Sequence, residues 1–485
     1  MVLSAGGTAC DAAIAVAAAL TVTEPTSNGL GGDLFALVHD GREVHALAAN
    51  GASPGALPVD RIRAEHDRMP LYGWPTVTVP GQVSGWKALH ERFGRMPFAE
   101  LMAPAIRLAR DGFVVGRVTA AAWERASRVF ESSPTWRATF TVDGKAPAAG
   151  SRSWAPGHAR TLQVLADDGP DAFYGALAEP IVAFAQDTGG CLSLDDFARH
   201  RARFVTPLSV RFGRWRIFGM TAPTQGVCAL EALGIIEGSD AGTPSDVHRA
   251  IEAVKLAFAD TYATMAHPGR SRVSPERLLD PKHLAARRAQ LAEHAGPSPA
   301  PPGIDGGTVL LCTADDEGAV ASVIQSNFHG FGSGLVVPEL GIALQNRGAG
   351  FTLDSRHPNA IGAGKQPFHT ILPGLAQTGH GVSPFGCMGG QMQPQGHVQL
   401  VTALARGVHP QAATDALRWR WLDDGAVALE RGFPAEVASE LARRGHALKT
   451  DVEAIHFGGA QVLWRTERGF VGGSDHRKDG AALET

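Results

Sequence analysis

The residues of greatest chemical interest are Gly306, Gly307 and Thr308, together with what flanks them. Ahead of them, residues 294–307 read HAGPSPAPPGIDGG, rich in Pro and Gly and without a hydrophobic period, which predicts a mobile linker. Structure resumes abruptly. Thr308 to Ala314 is an apolar run, Asp315 to Gly318 a turn and Val320 to Gln325 a second run, so a β-hairpin is expected whose first strand opens with Thr308. A Thr hydroxyl is a weak nucleophile near neutral pH and needs a base close by. Cleavage before Thr308 would supply one on the same residue, because an α-amino group titrates at about 7.7–8.0. Glycines at 306 and 307 would let the backbone bend so that the hydroxyl reaches the preceding carbonyl. On local pattern alone the simpler reading is an interdomain linker followed by a β-forming Thr.

The surrounding elements are legible at low resolution. Residues 8–20 predict an Ala-rich helix, residues 28–33 a Gly-rich turn, and Leu34 to Val38 a short strand closed by Asp40-Gly41. Residues 97–111 and 246–266 predict helices, the latter from Ile251, Val254, Phe258 and Tyr262 at helical spacing. No internal repeat is visible. The 485 residues, 44% hydrophobic and 19% charged, suit a globular protein with a sizeable core. A formal charge of −4 gives no basic field for nucleic acid, and no run of apolar residues is long enough to span a membrane. The five cysteines, Cys10, Cys191, Cys228, Cys312 and Cys387, are dispersed and show neither a disulfide framework nor a zinc pattern; most are expected in the core. MVLSAGGTACDAAIAVAAAL lacks a charged leading segment and is a poor signal peptide; it reads as a helix that begins almost at once, as if inside a once longer element, and favours the cytoplasm.

A series of motifs in order changes the weighting. They are EPTSNGLGGDLF (24–35), TVPGQVSGW (78–86), LSLDDF (192–197), APTQGVCALEALGIIEG (222–238) and AIEAVKLAFAD (250–260). They continue with TVLLCTADDEGAVASVIQSNFHGFGSG (308–334), GKQPFHTILP (364–373), GCMGG (386–390) and GGSD (472–475). Along nearly the whole chain this resembles the γ-glutamyltransferase family and its acylase relatives. The resemblance implies an α/β (α+β) fold, a four-layer αββα sandwich of the N-terminal-nucleophile hydrolase type. It implies one precursor that cuts itself into a large subunit, 1–307, and a small catalytic subunit, 308–485, beginning with the nucleophile Thr308. The pair would form a heterodimer, with a dimer of such pairs left open, acting on a small-molecule amide without metal or organic cofactor. Gly389 and Gly390 match the paired backbone N–H groups that hold the oxyanion. Ser326 matches a Thr whose hydroxyl supports the nucleophile's amine.

The departures concern the substrate. Asn50 stands where the family has an Arg for the glutamate α-carboxylate. Arg347 and Gly350 replace a Gln and an Asp near the α-ammonium, and His369 and Thr370 replace two carboxylate-contacting Ser residues. A cation facing a substrate ammonium is unfavourable. The expected acyl group therefore lacks the ammonium and ends in a carboxylate, glutaryl or oxalyl in type, held by Arg347, and glutathione is expected to be a poor substrate. A surface salt bridge is the plain alternative for Arg347. Val309, Leu310 and Cys312 replace polar residues common after the nucleophile and point to a side branch. A true γ-glutamyltransferase is the runner-up, and an unprocessed relative that only binds a ligand is the third reading. GFGSGL (330–335) lacks the third Gly of a dinucleotide fingerprint, and GAGKQP (362–367) is not a P-loop. Cys387 on a Gly turn is a weak nucleophile candidate, and His357, His369, His380 and His397 lack metal-ligand spacing.

Overall fold

Thr8 opens the first long helix, α1 (Ala9–Thr23), in the computed structural model, which describes residues 1–238, 243–297 and 306–484. The Thr8 hydroxyl accepts from the Asp11 N–H at 3.1 Å, and the Asp11 carboxylate accepts from the Thr8 N–H at 2.9 Å. This reciprocal cap satisfies two donors that a helix start leaves orphaned. Alanines lose no side-chain entropy and allow close approach, so α1 is buried along most of its length. It runs past the predicted end at residue 20. Of the predicted linker, residues 298–305 lie outside the described residues.

The chain divides into two units, residues 1–205 with 306–369, and residues 206–305 with 370–484. The first unit is built on an antiparallel sheet of β1 (Asp33–His39), β2 (Val44–Ala49), β3 (Arg203–Val205), β4 (Gly307–Ala314) and β5 (Val320–Phe328), in the order β3-β2-β1-β5-β4. The expected hairpin is present as β4 and β5, with β4 opening one residue earlier, at Gly307, and β5 running on to Phe328. Helix α1 lies against both strands. Helices α2 (Gln82–Phe93) and α3 (Phe98–Asp111) complete this layer, α3 matching the predicted 97–111. Gln325 of β5 locks the arrangement: its Oε1 accepts from the buried Trp86 indole N–H of α2 at 3.2 Å, and its Nε2 donates to the Ala17 carbonyl of α1 and to Asn28 Oδ1, both at 2.8 Å. A buried amide with all these groups paired specifies one register of helix on sheet.

The second unit has its own antiparallel sheet. Its order is Gly469–Ser474, Gly459–Thr466, β6 (Gly381–Met388), Gly374–Thr378, Trp215–Gly219 and Leu208–Phe212. Helices α4 (Gly226–Ile236), α5 (Pro244–Thr264), α6 (Pro281–Arg288) and α7 (Met392–Ala405) belong to it, α5 covering most of the predicted 246–266. Asp475, the last residue of the GGSD motif, is a buried structural anion: it pairs with Arg418 and Arg477 and accepts the Ala460 N–H at 2.8 Å. Each unit thus joins a main antiparallel sheet, with smaller sheets beside it, to helices, the mixed α+β composition expected.

Close backbone approach fixes one small residue beside β2. A Cβ on Gly51 would lie 1.6 Å from the Val79 carbonyl oxygen, while a Cβ on Gly379 would meet nothing within 4 Å. Gly51→Ala is therefore expected to destabilise the fold by about 1–3 kcal/mol or more, and Gly379→Ala by no more than about 0.5 kcal/mol. Chemical denaturation of both variants checks this; equal midpoints would contradict it.

Candidate active site

Thr308 is the second residue of β4 and is buried. The ladder pairs Gly307 with Phe328 and next pairs Val309 with Gln325, so Ser326 and Asn327 together stand opposite Thr308. This is a β-bulge, which re-aims side chains at the end of a strand pair. The Thr308 hydroxyl donates to Ser326 Oγ at 3.3 Å. Ser326 Oγ also accepts the Phe328 N–H at 2.7 Å and donates to the Gly307 carbonyl oxygen at 2.6 Å. One hydroxyl therefore contacts both the Thr308 side chain and the carbonyl of the Gly307–Thr308 peptide bond. Phe328 holds this corner at φ 82°, a conformation that non-Gly residues rarely adopt.

The bulge continues into a buried charged cluster of the same unit. The Arg347 guanidinium lies over the Phe328 ring, 4.2 Å from its centroid. Arg347 is fully buried, which overturns the surface salt bridge as an account of it. Burial pulls its ionisation down to about 9 while the charge of Asp33 holds it up. Asp33, also 0% exposed, receives the Gly51 and Gly81 N–H groups at 3.1 Å and Gln345 Nε2 at 2.9 Å on one carboxylate oxygen. His369 Nε2 lies 3.1 Å from the other. Burial pushes the Asp33 carboxyl up to about 7, against Arg347, Gln345 and the two N–H groups, which favour its charged form. His369 is buried edge-on to Phe35, and burial together with Arg347 keeps it neutral, far below its ordinary range. Asn50, next to Gly51, is 2% exposed; its backbone carbonyl accepts from Gln366 Nε2 at 2.8 Å, while its buried Nδ2 donates to no group among the described residues.

Gly389, Gly390 and Thr370 belong to the second unit. The two glycines join β6 to α7, with φ of 121° and 61°, both outside the range that a side chain tolerates well. Their carbonyls accept from the Met392 and Gln393 N–H groups at 3.0 and 3.2 Å, which closes the turn into the N-terminus of α7. That end of a helix carries partial positive charge and suits a developing anion. The buried Gln225 amide donates to the Gly390 carbonyl at 2.8 Å and to the Thr370 carbonyl, tying these two predicted positions together.

Asp33 and Gln225 lie within quoted motifs but were assigned no role from sequence; the signal was an acid closing a Gly-Gly turn and an amide opening a helix. Cys387, the weak nucleophile candidate, is sealed in the core, where burial raises its thiol and disfavours the thiolate. The first unit also has a partly open cavity of about 370 Å³ lined by Phe113, Trp123, Phe140, Trp154 and His158, among others, but not by Thr308, Ser326, Asn50, Arg347 or His369. Its apolar wall is thus separate from the groups described above. Among the described residues no helix is long and apolar enough to cross a membrane.

Removing the Asp33 charge should take from the buried Arg347 guanidinium the anion that holds up its ionisation. Asp33→Ala and Asp33→Asn are both expected to cost about 3–5 kcal/mol of stability, because Asn keeps the shape but not the charge. Urea denaturation measures both; an unchanged midpoint for Asp33→Ala would show that the cluster does not depend on that charge.

The gamma-glutamyltranspeptidase family model matches residues 1–485. The oxamate amidohydrolase proenzyme of Klebsiella pneumoniae is 37% identical, over 99% of this chain and 95% of its own length. The glutathione hydrolase-like YwrD proenzyme of Bacillus subtilis is 32% identical, over 99% and 95% respectively. The crystal structure of a cephalosporin acylase from Bacillus halodurans superposes with a TM-score of 0.94 at 41% identity, covering 100% of this chain and 93% of that one. The chain belongs to the gamma-glutamyltranspeptidase family, has the N-terminal-nucleophile hydrolase fold, and is an amide hydrolase or acyltransferase.

Proposed function

We propose that the chain cuts itself between Gly307 and Thr308 and that the freed Thr308 then hydrolyses or transfers the acyl group of a small amide. The observation that carries this reading is the Ser326 hydroxyl, hydrogen-bonded at once to the Thr308 hydroxyl and to the Gly307 carbonyl. In the intact chain that contact polarises the carbonyl which the Thr308 hydroxyl attacks. N-to-O acyl shift and hydrolysis of the resulting ester leave residues 1–307 and 308–485 as separate subunits. In the mature enzyme the neutral α-amino group of Thr308 takes the hydroxyl proton as Oγ1 attacks the substrate carbonyl. The Gly389 and Gly390 N–H groups are assigned to the oxyanion. Collapse breaks the C–N bond, the amine leaves with the proton, and the acyl ester passes to water or to an acceptor amine.

For the acyl group, the charges around Arg347 favour one that carries a carboxylate and no α-ammonium. Arg347 is cationic and buried, His369 beside it is neutral, and Asn50 offers an N–H donor aimed into protein. Thr370 is assigned to the same carboxylate. The Klebsiella relative is an oxamate amidohydrolase by name, and oxamate is such a compound, so the oxalyl group is preferred over glutaryl. The name of the Bacillus subtilis relative keeps glutathione as the competing substrate.

Three outcomes follow for purified protein. On a denaturing gel, wild type should give two fragments and Thr308→Ala one full-length band, with Thr308→Ser still cut and Ser326→Ala cut more slowly; a full-length wild-type band that persists would end the self-processing claim. The kcat/KM of the processed enzyme should fall about tenfold per unit as pH drops below the α-amino pKa of about 7.7–8.0, because the protonated amine cannot accept the Thr308 proton. Oxamate or glutaryl anilide should be cleaved faster than γ-glutamyl anilide, and Arg347→Lys or Arg347→Met should raise KM for the first two by about 30-fold or more. Preference for the γ-glutamyl anilide in wild type would reverse the specificity assignment while leaving the nucleophile intact.

A further inference from the structure

Away from Thr308, the second unit holds a polar cluster between three of its helices: Glu231 on α4, Asp260 on α5 and His283 on α6, with ligand atoms within 4.8 Å of one another. His283 Nε2 lies 2.7 Å from Glu231 Oε1 and 3.2 Å from Asp260 Oδ2. Arg287, one helical turn after His283, grips Asp260 through Nε at 2.7 Å and through Nη2, and its third nitrogen is held by Gln290 at 2.8 Å. Glu231 is 0% exposed, and its Oε2 accepts no hydrogen bond from the described residues. The donors are therefore too few. The imidazole Nε2 carries at most one proton and faces two carboxylates, the guanidinium is committed to Asp260, and Glu231 Oε2 is buried from bulk solvent; the Glu231 and Asp260 carboxyl groups also lie within hydrogen-bonding reach of each other, which requires a shared proton or a cation between them. A sealed carboxylate oxygen without a donor is costly and calls for a positive occupant.

We propose that Glu231, Asp260 and His283 bind one divalent first-row metal ion of the zinc or manganese type. One imidazole nitrogen with carboxylate oxygens suits Zn²⁺ or Mn²⁺ better than Mg²⁺ or Ca²⁺, which prefer oxygen ligands throughout. The ion displaces the proton from His283 Nε2 and brings Glu231 Oε2 a partner that needs no particular direction. Arg287 fixes the orientation of Asp260 from behind, as residues around metal ligands commonly do. The ion would staple α4, α5 and α6 together and takes no part in the Thr308 reaction. Two other groups of possible ligands are less suited. His248, Glu252 and His446 offer one carboxylate, already matched by the Lys255 ammonium at 2.7 Å, whereas the Glu231 site sets two carboxylates against the single Arg287 guanidinium. Asp40, Glu43 and His45 sit at a turn with both acids exposed. The competing occupant of the Glu231 site is a proton shared with Asp260.

The test uses untagged full-length protein, stripped with a chelator and titrated calorimetrically with ZnCl₂, MnCl₂ and MgCl₂. One Zn²⁺ or Mn²⁺ per chain is expected, bound at least about tenfold more tightly than Mg²⁺. Glu231→Gln and His283→Gln should each weaken it by about tenfold or more, and His446→Gln should leave it unchanged. If either ligand variant fails to fold, X-ray absorption of the Zn²⁺-loaded wild type decides, with one imidazole nitrogen and oxygen donors at about 2.0–2.2 Å expected. The proposal is overturned if wild type binds no stoichiometric metal, if binding survives both ligand variants, or if absorption reports sulfur or several imidazoles. A wild type that ignores metal, with Glu231→Gln at least as stable, would assign the site to a shared proton.

Discussion

A buried carboxylate organises the surroundings of Thr308. Asp33 leaves a Gly-Gly turn at the start of β1 and draws to itself the N–H groups of Gly51 and Gly81, the amide of Gln345, the imidazole of His369 and the field of Arg347. Those partners come from segments far apart in the chain. A neutral residue of the same shape could satisfy part of the hydrogen bonding, but it could not balance a guanidinium held out of water. Because Arg347 lies on Phe328, and Phe328 closes the bulge around Thr308, the charge balance and the position of Thr308 share one scaffold. Gly51 must remain small for the same reason, since the Val79 carbonyl occupies the space a side chain would take.

Local elements were legible because their signals are local. The Thr8–Asp11 cap, the Ala-rich face and the apolar runs on either side of Asp315–Gly318 each declare an element within a few residues. The bulge was not legible, since a two-against-one pairing depends on register and not on composition. Arg347 was misjudged in part for a related reason: arginine is seldom fully buried, so a surface ion pair was a fair alternative until its aromatic and anionic neighbours were seen. The clustering of Glu231, Asp260 and His283 joins three helices and leaves no regular spacing in the sequence.

The motifs that carried the family resemblance divide by physical role. LSLDDF supplies a helix cap, in which Ser193 accepts the Asp196 N–H and the Asp196 carboxylate accepts the Ser193 N–H, while its other oxygen receives the Gly55 N–H at 2.8 Å. GGSD supplies the buried Asp475 of an ion-pair network. GCMGG and the residues around Thr308 instead build features with chemical potential: a strand-to-helix turn of two glycines and a bulged strand opening. Recognition of a family from ordered motifs therefore rests as much on folding devices as on reacting groups, which explains how such resemblance can be strong while the substrate stays open.

The hydroxyl of Ser326 has a double engagement that sets it apart from Arg347, His369 and Asn50. In the proposed scheme it serves maturation through the Gly307 carbonyl, and once that carbonyl departs with the large subunit the same oxygen is left beside the new terminal amine of Thr308. A change there is tried twice, first when the chain is made and again at each turnover. Residues that meet only the substrate are tried once. Drift in acyl preference is thus comparatively cheap for this scaffold, whereas the corner formed by Gly307, Thr308, Ser326 and Phe328 has almost no route by which to change one member at a time.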